Sequence, residues 1–438
     1  MDVLKRARFT LLDWLGCCIA AQGSDVARAF ARASRVPETE VMHAGLTSAS
    51  CDAQQAALLL GALGNVLEMD DLHRASILHP GDAVCASTLA VALRADRSGA
   101  EVLRALTRGY EAAIRIGRVA ASGGYTTFYN SGTCGVFGAA LAAMDVMSDD
   151  ETAVADALGQ AGMMASGIWQ CRLEQTFSKQ LATAHAARAG VLAAELAMAG
   201  FPGARAILTG PMGFFQSYYP GADVAALTRP GDWALLEMSF KPFPACRHTH
   251  PAISAALDLA SRAASAPPGH IDIHTYRAAL DFCDAPCPTT PDQARFSLQH
   301  CVAVALSKGR PEIADFDIEA LSRPDIEALR AKVRLHVDPA LDAAFPQGYG
   351  ARVSVTWADG TVDEAICPAA WGDPENPMDN SDLIAKFCAN AASGRLRPDQ
   401  TDRILGAVMD LPDAADLSAL KSAFAMAFTP TPEETRCP

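Results

Sequence analysis

The sequence lacks a long hydrophobic run free of charges. Its most apolar stretches, residues 135–147 and 190–201, are interrupted by Asp145 and Glu195, and both fall short of the roughly 18 residues that a membrane-spanning helix needs. Basic residues are also scarce, with 36 Lys and Arg against 50 Asp and Glu and a net charge of −14. Because a nucleic-acid partner requires a basic face, the composition excludes that class as well as membrane spans.

Motifs for common cofactors are missing too. No Cys-x-x-Cys pair occurs, and Gly132, Gly135 and Gly138 follow no predicted strand and lack the spacing of a dinucleotide fingerprint. Most of the 13 cysteines lie in apolar surroundings, where thiols behave as small hydrophobic side chains. They predict reduced thiols and a cytoplasmic protein.

Alanine and leucine at helical spacing are abundant instead, and they predict a mainly α fold. The 438 residues suffice for two domains. Residues 1–236 predict an all-helical domain, because alanine is the best helix former, and residues 372–438 predict helices that complete it. Residues 237–371 predict a smaller α+β domain. Its alternating strands are expected at 271–276, 332–337, 352–357 and 362–366.

The helical segments are expected between breaks that carry glycine or proline. In the first domain they are 56–67, 84–93, 101–119, 135–146, 152–164, 182–199 and 222–227. The α+β domain should contain helices at 291–306 and 318–331, and a hairpin turn at 358–361. Helices at 382–392 and 400–411 follow it.

Four cationic or protonatable side chains fall close together near the middle of the chain: Lys241, Arg247, His248 and His250. Prolines in the same stretch oppose regular helix or strand, and an apolar helical pattern begins after Pro251. This pattern predicts a rigid loop that carries positive charge to a helix N-terminus, where unpaired N–H groups attract anions. The alternative is a solvated connector between domains.

A second cluster lies between two predicted helices and contains Glu68, Asp70, Asp71, His73, His79 and Asp82. Carboxylates beside histidines suit proton transfer or a metal ion, although the spacing fits no standard zinc motif. The alternative is a solvated capping loop in which Asp70 or Asp71 ends a helix.

Two further stretches precede apolar helices. Hydroxyls and glycines at 125–135, among them Tyr129, Ser131 and Thr133, predict either a site for a substrate carboxylate or close packing of helices. Lys179 opens another helix, where its charge opposes the helix dipole unless a carboxylate or a substrate meets it. Without such a partner, it would be an ordinary surface lysine.

Together, five stretches resemble the MmgE/PrpD family, whose members include 2-methylcitrate dehydratase, cis-aconitate decarboxylase and iminodisuccinate epimerase. They are residues 68–80, 131–140, 178–194 with 200–201, 241–251, and 372–378 with 383–387. The resemblance implies a large all-helical domain, a smaller α+β lid domain and a homodimer. It also implies an enzyme that needs no metal or organic cofactor and acts on a small polycarboxylate.

By position, the resemblance assigns His79, Lys179 and Lys241 to the histidine and the two lysines of the family's site. Glu68 stands at the first residue of the family's Asp-Phe-Asp-Asp-Thr loop, and Leu72 stands at its threonine. Both positions therefore depart from the family pattern.

Three more departures affect the expected reaction. Tyr129 stands where the family often has a histidine, Cys246 where the decarboxylases have a histidine, and Phe282 near the position of their lid tyrosine. These substitutions argue against cis-aconitate decarboxylation and weaken a plain transfer of methylcitrate dehydration.

The family's shared step is proton transfer at a carbon beside a carboxylate, and the developing charge needs nearby cations. We expect Lys179, Lys241 and His79 to meet in one pocket, with a lysine as base and His79 as acid. Glu68 or Asp71 would orient His79, and Tyr129 could replace the usual histidine as an acid.

Substrate binding is expected from Arg247, which suits bidentate contact with a carboxylate, and from His250, Cys246, Ser131 and Thr133. The favoured reaction is dehydration by a hydro-lyase similar to 2-methylcitrate dehydratase. The alternatives are an epimerase or isomerase of a dicarboxylate such as iminodisuccinate, and a non-catalytic protein that binds a polycarboxylate.

Overall fold

The computed structural model describes residues 2–47, 51–123, 127–174, 176–262 and 267–429. They form two compact units. The helical unit contains the described residues of Met1–Val66, Asp70–Met238 and Asp379–Pro438, and the α+β unit contains Leu67–Met69 and Ser239–Met378. The final stretch of the predicted helical domain, residues 430–438, lies outside the described chain.

The helical unit begins with α1 (Val3–Ala21), α2 (Asp25–Ser34), α3 (Val41–Leu46), α4 (Ala53–Leu60), α5 (Gly81–Ala92), α6 (Gly99–Ser122), α7 (Asn130–Thr133), α8 (Gly135–Met147), α9 (Glu151–Met163), α10 (Ser178–Met198) and α11 (Phe214–Tyr218). The α+β unit follows with α12 (His250–Arg262), β1 (Pro268–Thr275), α13 (Arg277–Cys283), α14 (Pro291–Arg295), α15 (Leu298–Lys308), α16 (Ile318–Leu321), α17 (Pro324–Arg330), β2 (Val333–Val337), α18 (Pro339–Ala344), β3 (Ala351–Trp357) and β4 (Val362–Cys367). The helical unit resumes with α19 (Asn380–Ser393), α20 (Pro398–Met409) and α21 (Ser418–Phe428).

Small residues let the helices around α8 approach closely. This helix packs against α5, α6, α9 and α10. A Cβ added at Gly138 of α8 would lie 2.5 Å from the carbonyl oxygen of Gly109 on α6, a distance that no side chain tolerates. The Ala- and Gly-rich composition of these segments is therefore a packing requirement, as well as a source of helix propensity.

Several predicted helices are shorter or broken. The helix expected over 56–67 ends at Leu60, and the one expected over 222–227 is a 3₁₀ turn, Val224–Thr228. The segments 291–306 and 318–331 are each split in two. Ser297 caps α15 through the backbone N–H of His300, and Pro324 starts α17 because proline cannot continue a preceding helix.

The sheet of the α+β unit has the strand order β2-β1-β3-β4. β1 and β2 are parallel, and the other pairs are antiparallel. Ile271, Ile273, Val353 and Val355 alternate toward a core shared with α12 and α15, as the period-2 pattern predicts. The predicted hairpin turn is confirmed, and Gly360 adopts φ +87° there.

The mainly α fold with a smaller α+β part is confirmed. Across the described residues, the longest apolar helices still fall short of what a bilayer crossing requires.

Candidate functional site

The acidic loop between α4 and α5 turns back on itself before α5 begins. Backbone hydrogen bonds join His73 and Leu78 in both directions, at 2.8 and 3.2 Å, around a single 3₁₀ turn and the left-handed Ile77, whose φ is +50°. The turn brings Asp70 and His79 together. Both Asp70 and Asp71 are buried, so the alternative of a solvated capping loop is wrong.

His79 is held at both its backbone and its ring. Its N–H donates to Ser131 Oγ at 2.9 Å. The ring Nδ1 lies 2.9 Å from the Asp71 carbonyl oxygen and 2.7 Å from Asp70 Oδ2. The side chain is 16% exposed, and within the described residues no hydrogen bond reaches Nε2. The imidazole therefore keeps one nitrogen for an incoming group.

The Asp71 side chain does not reach His79, because other donors occupy it. Tyr110 donates its hydroxyl to Oδ2 at 2.7 Å, and the Gly81 N–H donates to Oδ1 at 3.2 Å. Burial raises the pKa of Asp71 to about 7, although the Tyr110 hydrogen bond opposes the shift. The described contacts therefore do not support the prediction that the Asp71 carboxylate orients His79. The Asp71 atom that contacts the ring is its backbone carbonyl oxygen.

Asp82 and Lys179 belong to the same surroundings. Asp82 accepts a hydrogen bond from Trp14 Nε1 at 3.0 Å. Burial, followed by the charge of Asp70, raises the pKa of Asp82 well above its ordinary value, and the charge of Lys179 lowers it. Lys179 is half-buried at the first turn of α10, so it lies within electrostatic reach of the acidic loop.

A buried ion pair near this loop was not foreseen from the sequence. Lys386 of α19 lies 2.6 Å from Asp13 of α1, and both side chains are fully buried. Burial raises the pKa of Asp13, Lys386 lowers it, and the charge of Asp70 raises it further. From the sequence, this pair could be suspected because Asp13 and Lys386 are charged residues within apolar helical patterns, and such residues are seldom fully buried unless they are paired.

Arg6, on α1, is a second buried cation besides Lys386. Its guanidinium donates to the Met238 carbonyl at 2.6 Å. Burial lowers the pKa of Arg6 to about 10, and the charges of Asp71 and Asp13 oppose that shift. Within the helical unit, the buried acids Asp13 and Asp71 thus interact electrostatically with two buried cations, Arg6 and Lys386.

The hydroxyl-rich stretch contacts His79 through Ser131, while its other side chains pack among themselves and against nearby aromatic rings. Thr133 Oγ1 and Tyr219 OH are 2.7 Å apart, and Tyr219 donates to Asn130 at 3.0 Å. The buried Tyr129 ring packs on Trp169 with a centroid separation of 4.4 Å. Tyr125 and Thr126, which the same prediction included, lie outside the described residues.

In the α+β unit, Lys241 forms a buried ion pair with Glu68. Lys241 Nζ lies 3.3 Å from Glu68 Oε2, and the lysine side chain is 0% exposed. Glu68 has a left-handed backbone with φ +54°. The stretch that carries Lys241 is buried throughout 239–247, so the alternative of a solvated connector is wrong.

Arg247 and His250 are engaged within this unit. The Arg247 guanidinium pairs with Asp373, whose carboxylate also accepts from Ser239 Oγ at 2.6 Å. Arg247 Nη1 lies 3.2 Å from His250 Nδ1, and His250 Nε2 lies 2.9 Å from the Ala245 carbonyl. These contacts brace the stretch that holds Lys241.

Cys246 is buried beside the Lys241–Glu68 pair. Burial raises the pKa of its thiol, but hydrogen bonds from Cys283 and from the His248 backbone, helped by the charge of Lys241, bring the pKa below its ordinary value. The cysteines of the described chain are free thiols. In that part of the chain, no group of three or more His, Cys, Asp or Glu side chains is arranged to hold a metal ion.

Each unit thus brings together part of the predicted site. The helical unit assembles His79, Asp71 and Ser131, and it places Lys179 within electrostatic reach of Asp82. The α+β unit assembles Lys241, Glu68 and Cys246. The sequence did not single out Asp13, Lys386 or Arg6 as members of this environment.

Comparison with known families matches residues 1–227 to the MmgE/PrpD N-terminal domain and residues 243–411 to the MmgE/PrpD C-terminal domain. The cis-aconitate decarboxylase of Homo sapiens is 27% identical over 95% of this chain and 89% of its own length. The 2-methylcitrate dehydratase of Cupriavidus necator is 30% identical over 52% of this chain and 49% of its own length. The cis-aconitate decarboxylase-like protein oryM of Aspergillus oryzae is 25% identical over 96% of this chain and 92% of its own length.

Proposed function

Because this chain belongs to the MmgE/PrpD family, we propose that it is a lyase acting on a small di- or tricarboxylate. The reaction moves a proton at a carbon beside a carboxylate, and dehydration of a hydroxy acid such as 2-methylcitrate is the form that we favour. The 2-methylcitrate dehydratases among the relatives support that choice.

The setting of His79 is the observation that carries this proposal. Its Nδ1 is held by two oxygens, while Nε2 is the nitrogen without an internal hydrogen bond among the described residues. A ring fixed in this way can protonate a leaving hydroxyl, or take up a proton, without first reorienting. Such a group contributes typically ~10²–10⁴-fold to a rate.

Cationic stabilisation is assigned to Lys241 and Lys179. A carbanion beside a carboxylate spreads its charge onto the carboxylate oxygens, where an ammonium group held in a water-poor site stabilises it strongly. One of the two lysines also acts as the base that removes the proton, and Glu68 holds Lys241 in place. Tyr129 is assigned as an auxiliary acid.

Most of the residues predicted to bind the substrate already have partners within the protein, so they are assigned a secondary role. Arg247 and His250 each have internal partners, and Thr133 is paired with Tyr219. Ser131 and Cys246 line the surroundings of His79 and Lys241, respectively. We therefore assign carboxylate binding first to the lysines, and to Arg247, His250, Cys246, Ser131 and Thr133 only as secondary contacts.

Decarboxylation of cis-aconitate is the second candidate reaction. Similarity to the human decarboxylase extends over 95% of this chain, whereas similarity to the Cupriavidus dehydratase covers 52%. The same acid and base groups could also epimerise a dicarboxylate such as iminodisuccinate, and a non-catalytic polycarboxylate-binding protein is the remaining alternative. The homodimer and the cytoplasmic location stay predictions from the sequence.

The test is incubation of the purified protein with 2-methylcitrate, citrate, cis-aconitate and iminodisuccinate, each alone. A new ultraviolet absorbance from a conjugated alkene supports dehydration, and released carbon dioxide supports decarboxylation. A change of optical rotation without an alkene supports epimerisation. The variant His79→Gln is the control and should lose each signal. Failure of all four acids to react would contradict the proposed lyase.

A further inference from the structure

The carboxylate nearest to the His79 ring belongs to Asp70, which stands beside Asp71 in the acidic loop. Asp70 Oδ2 lies 2.7 Å from His79 Nδ1, and the Asp70 side chain is 1% exposed. The two residues are brought together by the turn that the His73–Leu78 backbone pair closes. The contact is therefore built into the fold of the loop and does not depend on a long, mobile side chain.

The contacts fix which ring nitrogen carries the proton. Nδ1 directs its hydrogen bond to the Asp71 carbonyl oxygen, and Asp70 Oδ2 lies beside it as an ion-pair contact outside hydrogen-bonding geometry. Nδ1 of His79 lies within 3 Å of two oxygens, one from Asp70 and one from the Asp71 backbone. An unprotonated Nδ1 would turn its lone pair toward both oxygens, which is repulsive, so the proton sits on Nδ1. In the neutral ring, Nε2 is then the basic nitrogen.

The neighbouring acids have other principal partners. They are Asp71 with Tyr110 and Gly81, Asp82 with Trp14, and Asp13 with Lys386. Asp70 is therefore the carboxylate that serves the imidazole. The backbone of His79 is fixed independently through Ser131, so loss of the Asp70 carboxylate would alter the charge at the ring more than the position of the chain.

We infer that Asp70 is a positioning residue for His79: its charge favours the Nδ1–H tautomer that the Asp71 carbonyl holds, and it stabilises the imidazolium when Nε2 is protonated. This inference rests on the proposed acid–base role of His79. During the reaction, the proton passes between Nε2 and the substrate while Nδ1 keeps its own proton. Asp70 therefore takes up no proton in this scheme, and its charge stabilises the imidazolium more than the neutral ring.

Other charged and titratable groups surround the pair within the helical unit. They are Arg6 and Asp13 on α1, Asp82 on α5, Tyr110 on α6, Lys179 on α10 and Lys386 on α19. Because several of them can titrate, a shift in the pH–rate profile alone would be ambiguous. The test therefore needs a signal from the His79 ring itself.

The experiment combines proton NMR of ¹⁵N-histidine-labelled full-length protein with steady-state kinetics on the acid that proves to be the substrate. His79→Gln assigns the His79 Nδ1–H resonance, which its hydrogen bond to the Asp71 carbonyl and the adjacent Asp70 charge together move downfield. We expect Asp70→Asn to move this resonance upfield or to lose it, and to lower kcat by ~10²-fold or more with KM nearly unchanged. Asp70→Glu, which restores the charge, should recover part of both effects.

Asp145→Asn is the matched control. Asp145 is also a buried aspartate in an ion pair, 2.8 Å from Arg108, but it lies on α8 and touches no residue of the acidic loop in any described contact. This variant should leave the His79 resonance and kcat unchanged. If Asp70→Asn does not fold, Asp70→Glu carries the test through a moved resonance and a lowered kcat.

The two claims fail separately. An unchanged His79 resonance in Asp70→Asn, with unchanged kcat, overturns the role of Asp70 whatever the substrate is. If wild-type protein turns over none of the acids and yet Asp70→Asn moves the resonance, the Asp70–His79 pair is supported while the proposed function fails.

Discussion

Buried charges dominate this protein at the scale of single residues. Within the α+β unit, Lys241 pairs with Glu68 and Arg247 pairs with Asp373; within the helical unit, Lys386 pairs with Asp13. Moving such an ion out of water costs several kcal/mol even after the protein relaxes. Replacing a buried ion pair with apolar residues of similar volume is often neutral, or stabilises the protein by about 1–4 kcal/mol. Buried ion pairs are therefore poor devices for stability alone, and their presence here favours a role in holding charge where chemistry needs it.

The role of the two lysines leads to the first prediction. Lys241→Met and Lys179→Met keep most of the side-chain volume but remove the charge, so each should lower kcat by at least ~10²-fold, the scale of a positioned acid, base or charge. Turnover of the substrate measures the effect. Lys308→Met is the control, because Lys308 is a part-exposed lysine that also has an acidic partner, Asp315. Near-normal kcat in either lysine variant would remove that lysine from the mechanism.

Asp71 should make stability depend on pH. Its folded-state pKa is raised to about 7 by burial, above the ~3.9 of an unfolded aspartate. Its contribution is therefore fully present below about pH 4 and is lost as the pH rises toward 7, by at most ~1.4 kcal/mol per pH unit. Asp71→Asn cannot titrate, so its free energy of unfolding should fall less than that of the wild type between pH 4 and 7.

Urea unfolding at several pH values measures this difference. The free energy of unfolding of the wild type minus that of Asp71→Asn should fall as the pH rises from 4 toward 7 and then stay constant, because the other titrating acids are common to both proteins. Curves that run parallel from pH 4 upward would contradict the raised pKa of Asp71.

The sequence could locate much of the candidate site but not its contacts. His79, Lys179 and Lys241 stood out through motif spacing, and the resemblance on which their assignment rested is confirmed. Which carboxylate approaches His79 could not be predicted, because it depends on the direction in which the turn at Ile77 sends adjacent side chains. Asp13 and Lys386 were out of reach because they come from opposite ends of the chain.

At the scale of elements, α1 and α19 form a contact that closes the helical unit. A Cβ at Gly16 would lie 3.3 Å from the Phe387 ring, and a Cβ at Gly394 would lie 2.3 Å from the Ile19 carbonyl oxygen. The two helices therefore approach closely enough to shut water away from the Lys386–Asp13 pair between them.

Lys386→Met should destabilise the helical unit by ~3–5 kcal/mol, because it leaves the Asp13 charge buried without its partner. The free energy of urea unfolding measures the loss. The double variant Asp13→Asn with Lys386→Met should recover most of it, since no uncompensated charge is then buried. Arg28→Met, which removes an exposed ion pair with Asp25, is the control and should cost at most ~1 kcal/mol. Additive single effects in the cycle would contradict coupling across the two helices.

Strands were easier to predict than helix ends in this chain. Period-2 alternation found β1 to β4, because one face of the sheet is buried. The glycines that follow α4 are required by tertiary packing: a Cβ at Gly61 would lie 2.9 Å from that of Ala187, and one at Gly64 would overlap Asp82. Such close approaches between distant segments leave no periodic signal in the sequence.

At the scale of the whole molecule, fold and family are settled more firmly than the reaction. The family models cover residues 1–227 and 243–411. However, one set of acid, base and cationic groups can eliminate water, epimerise a carbon or release carbon dioxide, depending on the leaving group of the substrate. The relatives carry two of these activities in their names, so the identity of the bound acid has to be measured.

Ligand-linked stability separates binding from catalysis in the whole protein. A ligand that binds only the folded state stabilises it by ~2.7 kcal/mol at one hundred times its Kd, and the His79→Gln variant should show this stabilisation without consuming the ligand. We expect the Tm of His79→Gln to rise with the polycarboxylate that is the substrate, and to rise much less with Lys241→Met added, because a cation that meets the carboxylate is then missing.

Acetate and sodium chloride at matched ionic strength control for screening of the net charge of −14 and should raise Tm little. Stabilisation of wild-type protein without any turnover would favour the non-catalytic alternative. If none of the polycarboxylates raises the Tm of either protein, both the lyase and the binding protein are excluded for these acids, since each requires a bound polycarboxylate.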